Sequence, residues 1–80
     1  MLTEYLRAAL RRARYEILGD EPGYYGEIRE LPGVWASAET LESCREELAA
    51  VLEDWVLVRV ARGLDIPALD GVEIRKVEAV

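Results

Sequence analysis

The chain of 80 residues contains no histidine and a single cysteine, Cys44. Without an imidazole it has no histidine general base, proton shuttle or metal ligand, which excludes Ser-His and Cys-His nucleophiles. A lone cysteine cannot form an internal disulfide, and with no histidine or second thiol nearby it is predicted to pack as a small hydrophobic group. We therefore expect a protein that is not an enzyme and that uses no metal or cofactor.

Long apolar runs and targeting segments are also missing. A run such as residues 55–58 is far too short to cross a hydrocarbon core of roughly 30 Å. The N-terminus lacks the charged region and apolar stretch of a signal peptide. The expected location is the cytoplasm, without membrane contact.

Basic charge is scarce and scattered. Ten basic side chains against sixteen acidic ones give a net charge of −6, and phosphate binding usually needs a stripe of Lys and Arg. The densest basic group is better explained as a solvated helix face that pairs with nearby carboxylates. It comprises Arg7, Arg11, Arg12 and Arg14, beside Glu4 and Glu16. Direct nucleic-acid binding is therefore disfavoured.

The first half of the chain is predicted to form a helix and three strands. Residues 3–12 have the spacing of an amphipathic helix that Thr3 could cap. Residues 13–18 and 24–31 alternate as strands and are joined by a Gly/Pro-rich turn. The chain turns again at Pro32-Gly33 into a short third strand, 34–36.

Gly26, inside the second predicted strand, is unusual because glycine weakens a strand unless another group packs close to it. We expect the long helix described next, or a large side chain, to approach the sheet at this residue.

A long helix is predicted from its N-cap, Thr40, to about Arg62, with Gly63 as the residue that ends it. Its main apolar stripe is expected to face the sheet. That stripe contains Leu41, Cys44, Leu48, Val51, Leu52, Trp55 and Val58. Residues 72–77 alternate as a fourth strand after a turn at Asp70-Gly71. The predicted order is α-β-β-β-α-β, an α+β fold.

The second half of the long helix is apolar on nearly all sides, so a second surface needs cover besides the one facing the sheet. The N-terminal helix or a second protein chain would supply it. We predict Trp55, Val56 and Val60 as an interface with a partner or with another copy. Since 80 residues make one small domain, 1–80, a homo-oligomer is expected.

Three stretches occur in a familiar order: residues 25–34, 37–42 and 63–67. They begin Tyr25-Gly26-Glu27-Ile28, Ser37-Ala38-Glu39-Thr40 and Gly63-Leu64-Asp65. Together they resemble the HicB-like antitoxin family of small, uncharacterised domains. The resemblance covers about residues 13–77 and leaves 1–12 as an additional N-terminal helix.

This resemblance implies a degenerate, partial ribonuclease-H-like fold, in which a small and mainly antiparallel sheet packs on one long helix. It also implies loss of nuclease activity and a toxin-antitoxin role, in which the domain binds and neutralises a small basic toxin that cleaves mRNA. Many family members carry a C-terminal DNA-binding segment. No such segment follows the predicted fourth strand before Val80, so direct DNA binding is not expected.

Two alternatives stay open. A metal-dependent nuclease would use converging carboxylates, above all Glu16 and Glu27, to hold metal ions about 4 Å apart. These two residues are better explained as occupying the solvent-facing positions in the alternating pattern of their strands. The other alternative is a self-associating orphan domain that contacts only copies of itself.

Overall fold

Two helices and three strands make up the described part of the chain. The computed structural model describes residues 2–19 and 23–74. The elements in chain order are helix α1 (Leu2–Arg11), strands β1 (Arg14–Ile17), β2 (Tyr24–Glu27) and β3 (Trp35–Ala38), and helix α2 (Leu41–Arg62). The predicted α+β class is confirmed, as is the order of these five elements.

The three strands form one antiparallel sheet in the order β1-β2-β3. Tyr15, Gly26 and Ala36 are paired across it and lie in one row on the side that α2 covers. A Cβ atom at Gly26 would lie 2.7 Å from Cε1 of Tyr15 and 3.3 Å from Sγ of Cys44. The expected close approach is confirmed, and both a large side chain and the long helix supply it.

Strand β2 is shorter than predicted because the chain leaves the sheet after Glu27. The amide of Leu31 donates to the carbonyl of Ile28, and the amide of Val34 donates to that of Leu31, each at 3.0 Å. All three side chains are buried in the core. Gly33, in the predicted turn, has a positive φ of 94°. Residues 28–34 therefore form a loop that contributes to the core rather than more strand.

The predicted ends of α2 are confirmed. Oγ1 of Thr40 accepts a hydrogen bond from the amide of Ser43 at 3.1 Å, which satisfies one free donor of the first turn. Gly63 adopts the left-handed conformation, with φ 66°, and the amide of Leu64 donates to the carbonyl of Arg59 at 2.8 Å. Both caps fix which residues belong to the helix.

The buried row of α2 differs from the predicted stripe. It consists of Cys44, Leu48, Leu52 and Val56, whereas Val58 is 49% exposed. Residues four apart advance by about 40° around a helix of 3.6 residues per turn. The core-facing side therefore drifts from the Cys44 side toward the Val56 side along α2, and Val56 takes the place predicted for Val58.

Helix α1 packs along α2 and buries Tyr5, Ala8 and Ala9. Oη of Tyr5 donates to the carbonyl of Pro67 at 2.5 Å, which joins the helix to the segment after α2. Since α1 begins at Leu2, Thr3 lies inside its first turn and the predicted cap at Thr3 is wrong. Of the two covers expected for the second surface of α2, the N-terminal helix is found against it in the structure, and cover by a second protein chain stays a prediction.

The segment after α2 contains the predicted turn but no strand within the described residues. Asp70 and Gly71 both have positive φ, 51° and 78°, and a single bridge joins Leu69 to Val72. Residues 73 and 74 belong to no strand. The remainder of the predicted fourth strand, 75–77, lies outside the described residues.

Arg12, just after α1, joins three parts of the fold. Its Nη1 lies 2.7 Å from Oε2 of Glu30 and its Nη2 lies 2.5 Å from Oδ1 of Asp70. These partners replace Glu4 and Glu16, which were expected from the sequence. Hydrogen bonds from Arg12 lower the pKa of both the Glu30 and the Asp70 carboxyl group.

A carboxyl group with a lowered pKa in the folded chain stabilises the fold above its unfolded pKa of about 4, and the contribution is lost as pH falls through the folded value. We expect Arg12→Gln to reduce the loss of stability between neutral and acidic pH. Urea unfolding followed by circular dichroism at pH values on both sides of the carboxyl range measures it. Arg7→Gln, an equal charge change on exposed α1 surface, is the control. If the free energy of unfolding changed with pH equally in the two variants, Arg12 would not be the group that lowers the pKa of Glu30 and Asp70.

Candidate interaction surface

The side of α2 that faces away from the core carries only carboxylates among its charged groups. Five exposed acidic residues lie within about 140° of the helix circumference, as helical spacing requires. They are Glu42, Glu46, Glu47, Glu53 and Asp54. The three arginines of α2 lie outside this arc. We call this surface the acidic face of α2.

No side chain of the acidic face is neutralised within the described parts of the chain. The ion pairs found among residues 2–19 and 23–74 use Arg12 and Arg29 as their basic partners. Neither arginine bonds to a carboxylate of α2. The acidic face is therefore a concentrated negative surface that is free to attract positive charge.

The acidic face ends in exposed apolar side chains toward the C-terminus of α2. Leu57 is 55% exposed and Val60 is 52% exposed. Leu57 and Glu53 line a groove together with Leu2 and Leu6 of α1. Carboxylates and accessible apolar surface are thus continuous along the seam between the two helices.

The structure places the three predicted interface residues differently. Val56 is fully buried in the core, so it offers no surface to a partner. Val60 is half exposed, and Trp55 is partly buried. Nε1 of Trp55 donates to the carbonyl of Pro32 at 3.1 Å, and the guanidinium of Arg59 lies 4.6 Å from the ring centroid. Contact of Trp55 or Val60 with another chain stays a prediction.

A second groove lies on the opposite flank of α2. Its lining contains apolar and oppositely charged residues, namely Val51, Asp54, Trp55, Val58, Arg59, Arg62 and Leu64. We call it the Val58 groove. Val58 was predicted to lie in the core stripe and so was not identified from the sequence as a surface residue. The four-residue spacing of Asp54, Val58 and Arg62 is the signal that identifies the groove.

The face of the sheet away from α2 carries an aromatic pair. The rings of Tyr25 and Trp35, on neighbouring strands, stack with centroids 6.1 Å apart and an interplanar angle of 27°. Trp35 is 54% exposed. The pKa of Tyr25 is raised. Desolvation is the larger cause, and the hydrogen bond that Oη of Tyr25 donates to Glu27 is the second. Tyr25 therefore packs across the strands against Trp35, a residue that was not singled out from the sequence.

The two carboxylates of the nuclease alternative lie on this face, as the strand alternation predicts. Register pairs Glu16 with Tyr25 and Glu27 with Arg14. Oε1 of Glu27 lies 3.0 Å from Nε of Arg29, and that hydrogen bond lowers the pKa of Glu27. Within residues 2–19 and 23–74, no three carboxylate or thiol side chains lie close enough together to hold a metal ion. This geometry gives the nuclease alternative no support.

Cys44 lies in the core, as predicted. Its side chain is fully buried, and Sγ donates to the carbonyl of Ala36 at 3.7 Å. Burial raises the pKa of the Cys44 thiol, so the reactive thiolate form is disfavoured. The residue therefore serves packing between α2 and the sheet.

In the ranges that the structure describes, neither helix is long and apolar enough to cross a membrane.

Comparisons with known proteins identify a protein family and a similar solved structure. A family model described as UPF0150-like matches residues 4–67. The crystal structure of TTHA0281 from Thermus thermophilus is similar, with 49% sequence identity and a TM-score of 0.90 over 96% of this chain and 95% of that one. No curated protein matches the chain.

Proposed function

We propose that this chain, which belongs to the UPF0150-like family, is a non-catalytic antitoxin module of the HicB-like type. Its partner is a small basic toxin that cleaves mRNA in the cytoplasm, and the acidic face of α2 masks that toxin. One observation carries the proposal: the carboxylates of the acidic face have no basic partner in the described chain. The family resemblance of the sequence and the net charge of −6 support it.

Charge complementarity explains how such a module finds its partner. A one-signed surface raises the rate of encounter with an oppositely charged protein and orients it, and this effect weakens as salt screens the charges. An RNA-cleaving protein needs a basic surface to bind phosphates. The surface that binds RNA is therefore the one that the acidic face attracts.

Apolar contact is needed to hold the complex, because charge steers encounter more than it adds affinity. Leu57 and Val60 provide it at the end of the acidic face, where both are about half exposed. Polar groups around accessible apolar side chains are typical of protein interfaces. The proposed contact therefore runs from Glu46 through Glu53 to Leu57.

The test uses the product of the reading frame next to this one, which the proposal requires to be a small basic protein. We expect it to bind the purified chain, and co-expression of the chain to restore growth of cells that produce it. The double variant Glu46→Gln with Glu53→Gln should lower the association rate at low salt by about tenfold. Stopped-flow or surface plasmon resonance at several salt concentrations measures this.

The matched control is Glu4→Gln with Glu16→Gln, which changes the net charge equally at exposed positions outside α2. It should bind nearly as fast as the unmodified chain. Equal losses in both double variants would show that net charge, not the acidic face, attracts the partner. Absence of binding and of growth rescue with the unmodified chain would refute the antitoxin function itself.

A further inference from the structure

We infer that two copies of this chain associate through the Val58 groove, with their α2 helices antiparallel about a twofold axis that passes near Val58. The occupant of the groove is thus a second copy of the same surface. Such an isologous contact requires each residue on one side of the axis to suit the residue at the same distance on the other side. The charges and apolar residues of the groove meet this requirement.

The charged residues of the groove are placed symmetrically about Val58. Asp54 comes four residues before it and Arg62 four residues after it, all three on one strip of α2 and all lining the groove. Each charge is about 6 Å from Val58 along the helix axis, at 1.5 Å per residue. In an antiparallel pair centred on Val58, Asp54 of one copy therefore lies level with Arg62 of the other. The twofold axis repeats this contact, so the dimer contains two such ion pairs.

Apolar residues of the groove follow the same symmetry. Val51 lies toward its N-terminal end and Leu64, 42% exposed, lies just beyond the helix at the other end. The same axis brings Leu64 near Val51 of the second copy, while Val58 meets Val58. The pair would cover a valine that is 49% exposed, and covering apolar surface favours association.

The paired charges are free for this contact, whereas the neighbouring Arg59 is engaged within its own chain. Arg59 lies over the ring of Trp55, and its Nε donates to the carbonyl of Asp65 at 2.8 Å. Asp54 and Arg62 are exposed, and neither takes part in an ion pair within the described ranges. They are two full turns apart on one helix, too far to pair with each other.

The Trp55 ring gives the groove a fixed wall. Its indole is bound to the carbonyl of Pro32, so the side chain is ordered before association and loses little rotamer freedom on binding. The predicted interface is thereby changed: Trp55 is kept, and Val58 replaces Val56 and Val60. Asp54 is the one residue of the acidic face that enters the contact; Glu46 and Glu53 do not line the groove, so each dimer would still present two surfaces that contain them.

The test measures the mass of the full chain over a concentration series by sedimentation equilibrium or light scattering. The chain of 9.0 kDa should approach twice that mass with a Kd in about the micromolar range, since a contact of a few helical turns is small. Asp54→Arg alone and Arg62→Asp alone should each weaken the dimer by about tenfold or more. Combining the two exchanges the charges and should restore the original Kd to within about threefold.

Two controls test whether the effects depend on position in the Val58 groove. Glu46→Arg makes the same charge change as Asp54→Arg, but at a residue of the acidic face that does not line the Val58 groove, and should leave the Kd unchanged. Val58→Lys should abolish the dimer because two ammonium groups would meet at the axis, whereas Val60→Lys, at a valine of similar exposure, should not. Circular dichroism of every variant checks that α2 remains folded.

Several results would overturn the inference. One is a single-chain mass at all concentrations. Another is a dimer that persists in Val58→Lys, which would place the contact elsewhere. A third is failure of the exchanged charges to restore the dimer while the chain remains folded. None of these results depends on whether a toxin binds, so failure of the dimer and failure of the antitoxin function are distinguishable.

Discussion

Replacing Leu52 with alanine is expected to lower the free energy of unfolding by about 2–5 kcal/mol. Leu52 is fully buried in the middle of the core-facing row of α2. The substitution removes apolar contacts and leaves a cavity that the rigid sheet and helices fill only in part. Domains of this kind have a total stability of about 5–15 kcal/mol, so the variant should approach the limit of folding. Urea unfolding followed by far-ultraviolet circular dichroism measures the change.

Leu57→Ala makes the same chemical change five residues later, at a side chain that is 55% exposed. Its effect should stay within about 0.5 kcal/mol, as is usual for surface substitutions away from special contacts. Alanine also has the highest helix propensity, which opposes any small loss. Similar destabilisation by the two variants would show that the core-facing side of α2 is assigned wrongly.

Replacing Gly26 with alanine is expected to cost about 1–3 kcal/mol through overpacking. The new methyl carbon would lie 2.7 Å from Cε1 of Tyr15 and 3.3 Å from Sγ of Cys44, so the ring, the helix or both must move. In a domain of this size, each kcal/mol lowers the melting temperature by about 4–8 °C. Thermal unfolding of the variant beside the unmodified chain gives the shift.

Gly19→Ala is the control for the glycine substitution, because a Cβ atom there would have nothing within 4 Å. It should leave the melting temperature nearly unchanged. A double-mutant cycle identifies the cause: in a Tyr15→Ala background the crowding ring is absent, so Gly26→Ala should cost much less. Strictly additive effects would mean that Tyr15 is not the group that resists the methyl.

Features that depend on neighbouring residues were predictable from the sequence. The hydroxyl of Thr40 and the missing Cβ of Gly63 determine where α2 begins and ends, and both boundaries were predicted. Gly26 indicated its close neighbours because a strand seldom accepts glycine without a reason. In these cases the chemistry of one or two residues is sufficient.

Features that depend on the relative placement of distant elements were not predictable. Arg12 and Asp70 are 58 residues apart, and no local pattern indicates that they meet. Val56 is in the core in place of Val58 because the buried row continues at four-residue spacing from Leu48 and Leu52. A hydrophobic stripe read from spacing assumes one straight line along the helix, whereas the buried row follows its packing partners.

Of the two candidate surfaces, one could be predicted from the sequence and the other could not. The spacing of Glu46, Glu53 and Leu57 on one side of a helix is present in the sequence, and the acidic face could have been derived from it. The Val58 groove required knowing that Val58 is outside the core. Trp55 was predicted from the apolar second half of the long helix, and only the structure shows its bond to Pro32.

The shortness of the outer strands has a consequence for aggregation. In the described sheet, β1 and β3 lie at the two edges, and each has only four residues. An unpaired edge is a template for amyloid-like growth, and short or charged edge strands reduce that risk. Four residues offer few backbone hydrogen bonds to an incoming strand, and β1 carries Arg14 and Glu16 on its solvent side. The short, charged edge strands thus lower the tendency of this chain to aggregate through its sheet edges.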